Sequence, residues 1–325
     1  MTNFKSPLQA FLYWEEISPN KEFLRQYING KLETLNFKES GKQIRQIAQA
    51  ILKKGLPPKS NIALLSKNCD TWIMADLAIM MSGHVSIPIY PTLNDKSIKL
   101  IIEHSDSKLL FVGKLDNWEF QKSAVSHIPK ISVEKYGITE SETWESLLES
   151  NEPLDNISLP NPKDLITIIY TSGTTGNPKG VMHSHENFNN AARNIIDTLK
   201  LPPHPTYFSY LPLSHIAERI GLEMGALYVG GSLTFSESLE SFASNLEATQ
   251  PELFFAVPRI YAKFQEKILE GLPQKKLNTL LKIPILNTVL KKKIKQKLGL
   301  SKAIYVASGA APLSVSIMLW FKKLG

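Results

Sequence analysis

The sequence predicts an α/β fold of parallel-rich sheets flanked by helices, on three observations. Helix-period and strand-type segments alternate through the first third of the chain, the signature of a parallel sheet covered by helices. The strand-type run "LITIIY", residues 165–170, is apolar and β-branched, of the sort that forms a buried strand. The helical segments also carry their own punctuation, ending at Gly55 and Gly83 and starting at the N-cap residue Asn94.

Taken in order, "GKQIRQIAQAILKKG" is helical in period and "NIALLS" is a strand. "DTWIMADLAIMMSG" is a helix, "VSIPIY" a strand, "NDKSIKLIIEHSD" a helix and "KLLFVG" another strand. Residues 115–163 are more polar and less periodic, which marks a peripheral connection. After "LITIIY" and a short loop, "ENFNNAARNIIDTLK" has the spacing of an amphipathic helix, and "LTF", "LFFAVP" and "AIYVASG" supply further strands. There is no internal repeat and no low-complexity tract. Two α/β subdomains are expected, roughly 56–200, and 1–55 together with 201–325.

The 325 residues, 43% of them apolar, suffice for a sizeable core. The lone cysteine, Cys69, excludes an intrachain disulfide framework and sits in the apolar run "CDTWIMADLAIMM", which predicts a buried, inert thiol. Charges interrupt the apolar stretches at the N-terminus, so no signal peptide is read there, and no run reaches the roughly 20 apolar residues of a membrane span. A cytoplasmic location is expected. The formal charge of +7 is local: residues 271–302 hold nine lysines and no acidic residue. Leu277, Leu280, Leu281, Leu286, Val289, Leu290, Ile294 and Leu298 recur there at helical spacing, broken near Pro284, predicting two short amphipathic helices. Such a segment fits either peripheral contact with an anionic membrane or a solvated lysine face packed on a core. It contains no aromatic residue, so no nucleic-acid partner is read from it.

The most informative stretch is "TSGTTGNPKG", Thr171 to Gly180, with three glycines, four hydroxyl side chains, one lysine and no carboxylate. At the carboxyl end of a buried strand, backbone amides beside Gly173 and Gly176, neutral hydroxyl donors and the Lys179 ammonium suit phosphate oxygens. The spacing is not that of the P-loop, because Lys179 is followed by Gly180 and not by Ser or Thr.

This stretch resembles the signature loop of the acyl-adenylate-forming (AMP-binding) superfamily. "SYLPLSHIAERIGLEMGALYVGG", "AVPRIYAKF" and "VASGAAPLS" follow in the order and form of its long-chain fatty acyl-CoA synthetase branch, and "NIALLSKNCDTWIMADLAIMMSGHVSIPIYPTL" resembles the superfamily's early strand and helix block. The resemblance implies the fold of an adenylate-forming enzyme's N-terminal domain and a two-step reaction. A fatty acid carboxylate attacks the α-phosphate of ATP, pyrophosphate leaves, and the thiol of coenzyme A or of an acyl carrier protein takes the acyl group. It further implies that Thr171, Ser172, Gly173, Thr174, Thr175, Gly176 and Gly180 wrap the ATP phosphates beside Lys179. Thr175 would meet the Mg²⁺ that accompanies ATP. His215 would orient the carboxylate and adenylate, with Glu218 and Arg219 structural or salt-bridged. Gly309, Ala310 and Ala311 would line the adenine and acyl channel. His183 and His185 lack further ligands at metal spacing.

The chain departs from the family pattern at "FKKLG". The family continues into motifs that close the adenine site, hold the ribose and supply a mobile C-terminal domain. The expectation is therefore a truncated N-terminal portion, with that domain absent, that completes neither half-reaction alone. The alternative is a noncatalytic nucleotide- or fatty-acid-binding remnant.

Overall fold

The computed structural model describes residues 4–171 and 178–325. Its strands are β1 (Glu22–Ile28), β2 (Lys31–Asn36), β3 (Asn61–Leu65), β4 (Val85–Ile89), β5 (Leu109–Val112), β6 (Lys130–Ser132), β7 (Leu165–Thr171), β8 (Lys179–Ser184), β9 (Thr206–Ser209), β10 (Ser232–Phe235), β11 (Leu253–Ala256) and β12 (Tyr305–Ser308). The chain forms two compact units, Met1–His204 with Ser209–Phe235, and Pro205–Phe208 with Ser236–Gly325.

The first unit is organised by a six-stranded sheet of order β6-β5-β3-β4-β7-β8. All neighbours in it are parallel except β8, which runs antiparallel to β7. Parallel strands need helical crossovers, and the expected helices supply them at Asp70–Met81 and Asp95–His104. The first of these is apolar nearly all round, and every one of its residues is buried. The second begins where Asn94 accepts a hydrogen bond from the Ser97 amide, at 2.9 Å. Its Ile98, Ile101 and Ile102 join Ile87, Leu110 and Val112 in one apolar cluster. Cys69 is fully buried, as expected of an inert thiol. The polar stretch after residue 115 contributes β6 at the sheet edge.

The same unit holds β10-β1-β2, with β1 parallel to β10 and antiparallel to β2. The sequence reading assigns its first element from Gly41, and ahead of it Asn29-Gly30, with φ of 49° and 72°, makes the tight turn that joins β1 to β2. The helix Phe37–Lys53 follows at once, started by a reciprocal cap between Asn36 and Glu39.

The second unit contains β12-β11-β9, all parallel. Helices at Pro258–Gly271, Gln274–Leu280, Pro284–Lys297 and Val315–Leu324 accompany these strands. Proline opens the first and third of them, where its missing N–H costs no hydrogen bond. Leu277, Ile294, Trp320 and Leu324 form their shared apolar centre. Parallel-rich sheets flanked by helices are thus the fold of this chain.

Candidate functional site

Thr171 ends β7, so the carboxylate-free stretch leaves the sheet at the carboxyl end of that strand. The sequence reading runs this stretch as a loop straight into a helix. Instead β8 intervenes, pairing Thr171 with Lys179 and Tyr170 with Gly180 before the helix His185–Leu199 begins. The reason is that β8 has no fully buried residue, so it shows no hydrophobic period, and pairing with β7 alone makes it a strand. Ser172, Gly173, Thr174, Thr175 and Gly176 fall outside the described residues.

Lys179 is exposed and faces exposed Thr171 across the hairpin. A Cβ at Gly180 would lie 2.8 Å from Ile168 Cγ2 and 3.2 Å from the Tyr170 ring. Glycine there lets β8 cross close over the side chains of β7.

His215 is exposed and caps the helical turn Ile216–Glu218, its Nδ1 accepting from the Ala217 amide at 3.1 Å. With Nδ1 as acceptor, the neutral ring carries its proton on Nε2. Two buried side chains fix the segment that leads to it. Asn68, in the connection after β3, donates from Nδ2 to the Ser209 hydroxyl at 2.8 Å and to the Leu211 carbonyl, and accepts from the Leu213 amide at 2.9 Å. Glu218 accepts from the Ser209 hydroxyl at 2.7 Å and from the Tyr210 amide at 3.1 Å. Because β3 and β7 run the same way in the sheet, Asn68 and Thr171 lie at one end of it.

Glu218 is fully buried, and burial pushes its carboxyl up to about 8 against the hydrogen bonds from Ser209, Tyr210 and Leu211. Arg219 is equally buried, 0% exposed, and donates to Asp76, to Glu223 Oε2 at 3.0 Å, to the Thr167 hydroxyl at 2.9 Å and to the Ser86 hydroxyl at 3.3 Å. Its guanidinium carbon lies 5.3 Å from the ring centroids of both Trp72 and Phe188. One cation thus serves two carboxylates, and burial with Asp76 nearby holds Glu223 above the usual carboxylate range. The salt-bridged role expected of Arg219 is what is found; its acidic partners are Asp76 and Glu223. From Arg219 the chain passes through a π-helical turn, Arg219–Met224.

In the second unit Gly309 follows β12, and a Cβ there would lie 2.8 Å from the Phe255 ring. Ala310 has φ of 64°, a left-handed conformation that costs an alanine about 1 kcal/mol. Ala311 is exposed, and the Ser308 hydroxyl beside them is buried without a hydrogen-bond partner among the described residues.

Asn68, Thr167, Asp76 and Glu223 escape sequence reasoning. Asp76 carried a signal, since a carboxylate in the apolar run "WIMADLAIMM" demands a buried cation. Asn68 carried none, because its partners lie more than 140 positions away. Among the described residues no group of three or more His, Cys, Asp or Glu is placed to hold a metal ion.

The sequence pattern of the AMP-binding enzyme family matches residues 13–325. Fatty acyl-CoA synthetase B of Dictyostelium discoideum is 28% identical over 323 residues, covering 88% of this chain and 48% of that protein. Long chain acyl-CoA synthetase 2 of Arabidopsis thaliana is 30% identical over 364 residues, covering 96% of this chain and 54% of that protein. Among solved structures, the adenylation domain of a carboxylate reductase from Mycobacterium chelonae superposes with a TM-score of 0.82 at 20% identity, over 98% of this chain and 56% of that one. A fatty acyl-adenylate ligase from L. pneumophila, in complex with acyl adenylate and pyrophosphate, superposes with a TM-score of 0.72 at 21% identity, over 99% of this chain and 53% of that one. The chain spans about half the length of the curated relatives it matches. With the family pattern running over nearly all of its residues, the chain belongs to the AMP-binding enzyme family.

Proposed function

We propose that this chain carries the ATP- and acyl-handling part of an enzyme that activates long-chain fatty acids. In the first step a fatty carboxylate oxygen bonds to the α-phosphorus of ATP, the bond to the bridging oxygen breaks, and pyrophosphate leaves. In the second, a thiol of coenzyme A or an acyl carrier protein attacks the acyl carbonyl and AMP leaves. Both steps gather negative charge, so their barriers fall with positioning and with cationic or hydrogen-bonding groups.

The observation that carries this reading is the β7–β8 hairpin at the carboxyl end of the sheet. Its described flanks present the Thr171 hydroxyl and the Lys179 ammonium and no carboxylate. Such a donor set fits a polyphosphate. Lys179 would neutralise phosphate charge, with Ser172, Gly173, Thr174, Thr175, Gly176 and Gly180 as its companions. His215, with a proton on Nε2, would donate to a carboxylate or adenylate oxygen. Gly309, Ala310 and Ala311 would give a flat base or acyl chain room to approach backbone. Magnesium would arrive with ATP, neutralising phosphate charge, since the described residues hold no carboxylate cluster for it; Thr175 would be its protein contact.

Calorimetric titration of ATP into the folded chain tests the reading. A saturable heat, weakened in Lys179→Ala, is expected. No heat from a preparation with a cooperative thermal transition overturns it. Because the chain spans about half the length of its relatives, a second reading is nucleotide or fatty-acid binding without turnover. ATP binding with no pyrophosphate released in the presence of fatty acid favours that one.

A further inference from the structure

The lysine-rich segment of the second unit is not consumed by the proposed chemistry. Its third helix, Pro284–Lys297, turns Leu290, Ile294 and Leu298 toward the local apolar centre, so its packing face is already occupied. The expected apolar stripe is wider than that face. Ile283, Ile285, Leu286 and Val289 are exposed, by 44%, 78%, 42% and 48%, and they occupy the first two turns of the helix and the residue before it. Single exposed aliphatic residues are ordinary, but four within seven positions form a patch.

Lysines surround the patch: Lys282 precedes it, and Lys291, Lys292 and Lys293 follow one turn later. No acidic residue occurs between residues 271 and 302, and although Lys297 on the same helix pairs with Glu247 at 2.9 Å, none of these four lysines forms an ion pair among the described residues. An aliphatic tip bordered by unopposed ammonium groups matches the layering of a bilayer surface, with acyl chains beneath anionic headgroups. A protein partner would favour aromatic and arginine anchors, and this segment has neither.

We infer that the tip of the Pro284–Lys297 helix is a docking surface for an anionic lipid bilayer, with Ile285 and Val289 entering the headgroup boundary and Lys291, Lys292 and Lys293 contacting lipid phosphates and carboxylates. It rests on this surface alone and stands apart from the proposed reaction.

Vesicle flotation of the purified chain is the test, since only lipid-bound protein rises. Wild-type chain floats with phosphatidylcholine vesicles containing about 30 mol% phosphatidylserine and stays behind with phosphatidylcholine alone. Binding falls when salt is raised from about 0.1 M to about 0.5 M. Ile285→Asp with Val289→Asp lowers partition at least tenfold at an unchanged thermal transition, and Lys→Gln changes at positions 291, 292 and 293 lower it about fivefold per charge. Equal flotation with both vesicle types overturns the inference. So does wild-type binding unaffected by either variant set, or sedimentation showing the tip buried in a self-associated chain. The comparison of vesicle types uses wild-type protein and decides the matter even if a variant fails to fold.

Discussion

Arg219 donates a 2.9 Å hydrogen bond to the hydroxyl of Thr167, four residues before Thr171 on the same strand. Since Arg219 also closes the turn begun by His215, the bond ties the histidine-bearing segment to the strand that enters the β7–β8 hairpin. The link is made by a cation with no access to solvent.

Removing that cation strands two carboxylates in the core. Arg219→Ala is expected to destabilise the first unit by about 3–5 kcal/mol, the cost of leaving a buried charge without its partner. Arg219→Lys recovers part of the loss, because an ammonium cannot reproduce the planar fork to Asp76, Glu223 and Thr167. Urea denaturation of the three proteins measures both; equal midpoints would contradict the network's role.

The buried Glu218 makes stability depend on pH. Its folded-state value, raised from 4.5 to about 8, means the native protein holds a proton that the unfolded chain has released between those limits. Unfolding then discharges a proton, so stability falls as pH rises through the window. Buried His185 acts oppositely and lower down. Lowered from 6.5 to about 4, it stays neutral where the unfolded chain takes up a proton, so its contribution is lost as pH falls below about 6.5. The interval from 6.5 to 8 therefore isolates the carboxyls. Thermal midpoints across it should decline for the wild type and decline less for Glu218→Gln.

Asn68→Ala should loosen the segment before His215. The substitution leaves the Leu213 amide without its side-chain acceptor, at a cost of about 1–3 kcal/mol. Amide exchange over residues 209–217 should accelerate more than in the β3–β4 pair. Uniform acceleration would mean a merely global loss of stability.

Lys179→Ala should lower adenylation about 100-fold or more, if its charge acts mainly on the transition state. Pyrophosphate release in a preparation that performs the reaction is the measurement, with Lys179→Arg as the charge-retaining control. An unaltered rate in the alanine variant would remove Lys179 from the chemistry.

The sequence made the parallel sheet legible because β3, β4, β5 and β7 are predominantly apolar runs bounded by glycines and caps, and burial on both faces leaves that mark. It hid β8 and β2, which have no fully buried residue and owe their conformation to a neighbouring strand. At the candidate site, the residues proposed to meet a ligand were readable as local motifs. Those that hold the motifs in place were not, since Asn68, Thr167 and Asp76 act across 52 to 145 positions of chain through single side-chain contacts.

Among the described residues β12 has a strand neighbour on one side only, and Val306 on it is 49% exposed, with Ile304 at 56%, Val315 at 64% and Leu319 at 50% nearby in sequence. An open ladder with aliphatic residues around it invites another copy to add a strand, and Lys302, Lys322 and Lys323 are the charges that oppose such stacking. Colloidal behaviour should follow: with a net charge of +7, the chain stays dispersed in dilute buffer and clumps as added electrolyte weakens mutual repulsion.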